Sequence, residues 1–138
     1  MNVDTRLLLL HKQGTSGRLR YLCLPGGVAL FIPLPAPAAL RPEDWSPTVQ
    51  PHPGAPLREA EVQLGLAEGA IEAVPDFHCW VDTPAGDVAV LLGGFTSIDP
   101  PFAAAERLGG RFITIAESRP LSAIERELMR RAYEHVLG

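Results

Sequence analysis

Eight of the chain's fourteen prolines fall between positions 33 and 56, in "PLPAPAALRPEDWSPTVQPHPGAP". Each proline holds φ near about −65° and removes a backbone donor, so neither a helix nor an inner strand persists through such a run. A long, partly extended loop is expected there. Loops of this length inside a compact domain are usually functional or inserted. The 138 residues suit one domain, 1–138, with the proline-rich stretch around 33–55 as its insertion.

The segments around the loop carry regular patterns. "TRLLLLHK" is short and apolar, as a buried strand would be, and "KQGTSG" after it has turn chemistry. "RLRYLCLP" predicts a second strand, broken by Gly26 and Gly27, and "VALFIPL" a third over 28–34. After the loop, Pro56 suits a first helical turn and Gly65 a left-handed end. In that helix Leu57, Ala60, Glu61 and Leu64 share one face, and Glu59, Val62, Gln63 and Leu66 another. "AIEAVPDFHCWVD" and "GDVAVLLGGFTSI" read as two strands joined by "TPAG"; Asp76, His78 and Asp82 would share a face of the first. "DPPFAAAERLGG" suggests a short helical turn, and "RFITIAE" a strand. Ser122 and Glu125 form a capping box. It opens a last helix with Ile124, Leu128, Met129, Ala132 and Val136 as its apolar stripe.

Composition narrows the function classes. With 46% hydrophobic residues the chain can bury a core. A net charge of −4 argues against a nucleic acid or an anionic membrane as partner. Cys23 and Cys79 lie inside apolar runs and read as buried thiols, too few for a disulfide framework. The apolar runs are too short for a bilayer, and charges at Asp4 and Arg6 speak against a signal peptide, so a cytoplasmic location is the expectation. His11, His52 and His135 show no coordinating spacing.

The segment "REAEVQLGL", Arg58 to Leu66, resembles the end of the Nudix box, R-E-U-x-E-E-x-G-U with U aliphatic. Arg58, Glu59, Ala60, Gly65 and Leu66 match; Val62 and Gln63 stand where the family has paired glutamates. An ungapped count back from Arg58 puts Asp44 at the family's first glycine and Gln50 at its first glutamate. "YLCLPGG" resembles the strand and turn that precede the box, and "GGRFITIAESRPLS" with the final helix resembles the closing elements. The resemblance implies an α+β, Nudix-like α/β/α sandwich: a mixed central sheet, one box helix and a C-terminal helix.

The family hydrolyses nucleoside diphosphates linked to another moiety, using Mg²⁺ or Mn²⁺. Carboxylates three and four residues apart on a helix converge on a hard cation, which offsets charge on the phosphates and activates water. By resemblance Glu59 is the retained catalytic and metal-binding acid. Glu61 is a second metal candidate if the helix were rotated, and otherwise a rim residue. Glu106 lies in the late loop from which some family members draw a base; as a plain residue it is a surface charge. Arg58, Gly26 and Gly27 are the substrate-side candidates. Beside that stand the simpler readings of Arg58 as an exposed or structural arginine and of Gly26 and Gly27 as turn residues.

Three functions follow from this pattern. One is a Nudix-like protein with a degraded metal site and weak or absent hydrolysis, keeping a cleft for a nucleotide or nucleoside-diphosphate derivative. Another is an active Mg²⁺-dependent pyrophosphohydrolase with relocated ligands. The third is an interaction or regulatory module, with Trp45 in the proline-rich loop as an anchor for a partner or simply for its own loop. The family's common dimeric state makes a homodimer the corresponding expectation.

Overall fold

The computed structural model describes residues 4–45, 47 and 51–138. Strand β1 (Asp4–Lys12) runs through the middle of a mixed sheet and is buried along most of its length. Its four leucines alternate sides: Leu8 and Leu10 enter one core, Leu7 and Leu9 the other. An uninterrupted apolar run is what a strand covered on both faces needs. Beside it lies β2 (Leu19–Cys23), antiparallel, with β7 (Arg111–Ile113) beyond. On its other side β6 (Gly86–Phe95) runs parallel, in register from Asp4 opposite Val88 to Leu10 opposite Gly94. The far edge of β6 takes β5 (Cys79–Thr83) and β4 (Ile71–Ala73) in succession, and β3 (Ala39–Leu40) pairs with β5.

Three helices cover the sheet: α1 (Gly54–Leu64), α2 (Phe102–Arg107) and α3 (Ala123–Leu137). Leu57, Ala60 and Leu64 of α1 and Ala105 of α2 close one core. Leu128, Met129 and Ala132 of α3 close the other, with Ile124 and Val136 packed against its margin. This is the expected α+β sandwich. The approach of α1 is close enough that a Cβ on Gly93 would sit 2.8 Å from Leu57, 2.9 Å from Ile71 and 2.9 Å from Leu9.

Several local expectations change. The strand expected over 28–34 is a single bridge, with Leu7 and Leu30 exchanging backbone hydrogen bonds of 3.0 and 2.8 Å. Pro33, Pro35 and Pro37 supply no donors to extend it. The strand expected to hold Asp76, His78 and Asp82 is split into β4 and β5. Asp76 lies between them at φ 64°, so the three do not share a face. "RFITIAE" stops as a strand at Ile113 and turns into a 3-10 turn, Ile115–Glu117. The α3 cap is half a capping box. Ser122 Oγ accepts from Glu125 N at 3.2 Å, but the Glu125 carboxylate, instead of accepting from the Ser122 backbone N–H, accepts from the Ser122 hydroxyl at 3.1 Å with one oxygen and from Val28 N at 2.7 Å with the other. No helix among the described residues is long and apolar enough to cross a membrane.

The proline-rich segment is pinned to the domain. Trp45 meets Trp80 edge to face at 5.7 Å, and the Arg41 guanidinium lies 4.6 Å over the Trp45 ring. Arg41 also pairs with Asp87 at 2.9 Å, while Arg131 of α3 donates to the Arg41 carbonyl at 3.0 Å. Trp45 thus anchors its own loop. Positions 46 and 48–50, including Gln50 of the ungapped box count, lie outside the described residues.

Candidate functional site: the outer face of α1

Helix α1 begins at Gly54, two residues ahead of the expected Pro56. No side chain of its N-cap, Pro53, caps it; His52 Nδ1 accepts from Gly54 N at 3.1 Å instead. The helix ends as expected at Gly65, φ 68°, whose N–H closes on the Val62 carbonyl at 3.0 Å. A side chain at that left-handed position is disfavoured, and a Cβ there would stand 2.6 Å from an Arg107 nitrogen. Between these ends the amphipathic split is the one expected: Leu57, Ala60, Glu61 and Leu64 are buried, and Glu59, Val62 and Gln63 face outward.

Glu59 and Gln63 form one wall of a cleft of about 250 Å³, with Arg6, Phe31 and Ile32 opposite. Val62 stands beside the cleft, 78% exposed. The Arg6 side chain, which the sequence reading had not singled out, makes the opposite wall rigid. It is 7% exposed; Nε donates to the Ile32 carbonyl at 2.7 Å and Nη2 to that of Pro33 at 3.3 Å. Its Nη1 donates to Asp4 at 2.8 Å and to the Thr5 carbonyl at 2.9 Å. Arg6 therefore holds the 31–33 segment against β1 and has little left to offer an anion. No local pattern around "DTRLL" marks it, because the two carbonyls it braces lie 26 and 27 positions away.

Glu61 is not at the rim. It is 3% exposed, beneath the helix. One carboxylate oxygen accepts from Gly69 N at 2.8 Å and Ile71 N at 3.0 Å, and the other from Arg58 Nη1 at 3.3 Å. Burial alone would raise its pKa; the Ile71 and Gly69 amides and the Arg58 guanidinium outweigh that and hold it below the usual carboxylate range. Arg58 pairs with Glu68 as well, at 3.0 Å. The two residues join α1 to the start of β4.

The remaining candidates lie apart from the cleft wall. Glu106 is exposed on α2, next to Arg107, which donates to the Gln63 carbonyl at 3.3 Å. Gly26 and Gly27 belong to a tight turn in which Leu24 and Gly27 exchange hydrogen bonds of 3.0 and 2.8 Å. A Cβ on Gly27 would collide with the Glu125 carboxylate. The outer face of α1 offers one carboxylate and one amide. Among the described residues no group of three or more His, Cys, Asp or Glu could hold a metal ion. Such a donor set does not fit an Mg²⁺ or Mn²⁺ ion held by the protein alone, because hard dications require several oxygen ligands.

No family model matches the sequence, and no curated protein matches it. Among solved structures, the crystal structure of the C. elegans Ap4A hydrolase is similar over 98% of this chain and 99% of that one, with a TM-score of 0.57 and 14% sequence identity. The likeness extends over nearly all of both chains, and the fold of this chain, a mixed sheet with helices on both faces, is α+β and Nudix-like.

Proposed function

We propose that this chain is a Nudix-fold protein whose hydrolase chemistry is weak or absent, and which uses the cleft beside α1 to bind a nucleotide or a nucleoside-diphosphate derivative. One observation carries the reading: on the outward face of α1 Glu59 is the one carboxylate, beside the Arg58 guanidinium, with the exposed Val62 and Gln63 in the two neighbouring places. A unit charge pair at ~4 Å and an effective dielectric of ~20 is worth about 4 kcal/mol, and roughly twice that for a dication. Dehydration offsets much of this gain. Losing two carboxylates still lowers dication affinity by orders of magnitude. Val62 has no oxygen, and Gln63 only a neutral carbonyl.

The similarity to an Ap4A hydrolase supports a nucleotide-like ligand class for the cleft. The cleft's own chemistry supports a modest site: Phe31 and Ile32 offer apolar contact, Gln63 an amide, and Glu59 an acceptor for a hydroxyl or amino group. In this reading Glu59 orients a ligand, and Glu106 and Glu61 play no part in chemistry.

A hydrolysis panel over nucleoside triphosphates, ADP-ribose and dinucleotide polyphosphates, with Mg²⁺ added and then chelated, tests the proposal. Turnover is expected at or near background, with ADP-ribose or an ATP analogue still detected by calorimetry. Robust metal-dependent turnover that disappears in Glu59→Gln would overturn it in favour of an active enzyme. The double variant Val62→Glu, Gln63→Glu is expected to tighten Mg²⁺ or Mn²⁺ binding at least about tenfold, since it restores two carboxylates on the Glu59 face.

A further inference from the structure

A second cavity, about 700 Å³, opens on the α3 side of the sheet. It lies at the carboxyl ends of β1 and β6, which run parallel. The crevice outside the carboxyl ends of parallel strands is where open sheets commonly take ligands. The hollow exists because β6 has Gly94 at its floor. A Cβ there would come no nearer than 3.8 Å to Val74 and 4.0 Å to Leu10, so a larger side chain would occupy the space itself.

Polar groups of both signs ring this apolar floor. Lys12, the chain's only lysine, stands on one side, and Glu72 and Asp76 on the other. None of the three side chains has a hydrogen bond or ion pair among the described residues. His135 is oriented: its Nε2 donates to the Pro75 carbonyl at 2.8 Å. Two acids against one lysine disfavour a polyphosphate, and the separated signs favour a ligand that carries both.

We propose that this cavity binds a small amphoteric molecule of the α-amino-acid type. Its ammonium group meets Glu72 and Asp76, its carboxylate meets Lys12, and an apolar side chain covers Gly94 and Val74. The site lies on the opposite face from the α1 cleft and does not depend on the function proposed there.

The test titrates the full chain with leucine, methionine and phenylalanine, followed by NMR chemical shifts. Two leucine analogues, 3-methylbutylamine and 4-methylpentanoate, each lack one charged end. Saturable binding is expected for at least one amino acid, weakened about tenfold in Lys12→Met and in either analogue, and lost in Gly94→Leu. The Val62→Glu, Gln63→Glu variant should bind the amino acid as the parent does. Absence of saturable binding up to about 10 mM, or analogues that bind as tightly as leucine, would overturn the proposal. So would unchanged binding in a natively folded Gly94→Leu protein. If that variant does not fold, Lys12→Met, a change at an exposed position, and the analogue series decide alone.

Discussion

Glu61 shows how much one buried carboxylate can organise. It serves two backbone amides and an arginine at the junction of α1 with β4. Glu61→Ala would leave the Gly69 and Ile71 amides unpaired, at a cost of about 1–3 kcal/mol each where water cannot replace the acceptor. The expected result is a clear fall in the denaturation midpoint with the fold retained. The pH dependence has a definite sign. The carboxyl pKa is lower in the folded protein than in the unfolded chain. Its stabilisation is therefore complete above the unfolded value of about 4.3 and is lost as pH falls through the lower folded value. The stability gap between the parent and Glu61→Gln should be widest at neutral pH and should shrink in acid. A gap independent of pH down to about 2 would rule this out. Glu61 is also where a family pattern read along the sequence is silent. The unconstrained box position carries an acid with three hydrogen bonds, and the next two positions, constrained in the box, carry no acid.

Among the elements, α3 is the best-anchored. Its middle is fixed by Tyr21, whose hydroxyl donates to the Met129 carbonyl at 2.8 Å, and burial pushes that phenol's pKa up. Its start is fixed by Glu125 on Val28 N, in a space that Gly27 keeps clear at φ 119°. Glu125→Ala should destabilise the protein by about 1.5–3 kcal/mol, as expected for a charge-assisted bond to a backbone amide. Ser122→Ala should cost about 1 kcal/mol, the usual price of an N-cap. If chemical denaturation ranks these two in the reverse order, the tie from α3 to the turn is not the stronger one. The stripe on α3 was plain from its 3.6-residue period. The destination of Glu125 was not, because Val28 lies 97 positions away.

At the scale of the whole molecule, two cores share one sheet, and β1 faces both. Leu8→Ala in one core and Leu9→Ala in the other, each at 0% exposure, should each cost about 2–5 kcal/mol and should each move the entire unfolding transition. Separate transitions by tryptophan fluorescence and far-UV circular dichroism in either variant would show that the faces do not fold as a unit. The leucine run, the amphipathic halves of α1, the left-handed Gly65 and the stripe of α3 were all readable in one dimension. Periodicity and glycine stereochemistry act within a few residues, and they establish the layered fold and the outward turn of Glu59, Val62 and Gln63. Three features depended on packing: the burial of Glu61 against β4, the use of Arg6 to brace the cleft wall, and the hollow over Gly94. Each joins groups that are neighbours only after the sheet closes, and no spacing along the chain encodes the hydrogen-bond partner or the empty volume that such closure creates.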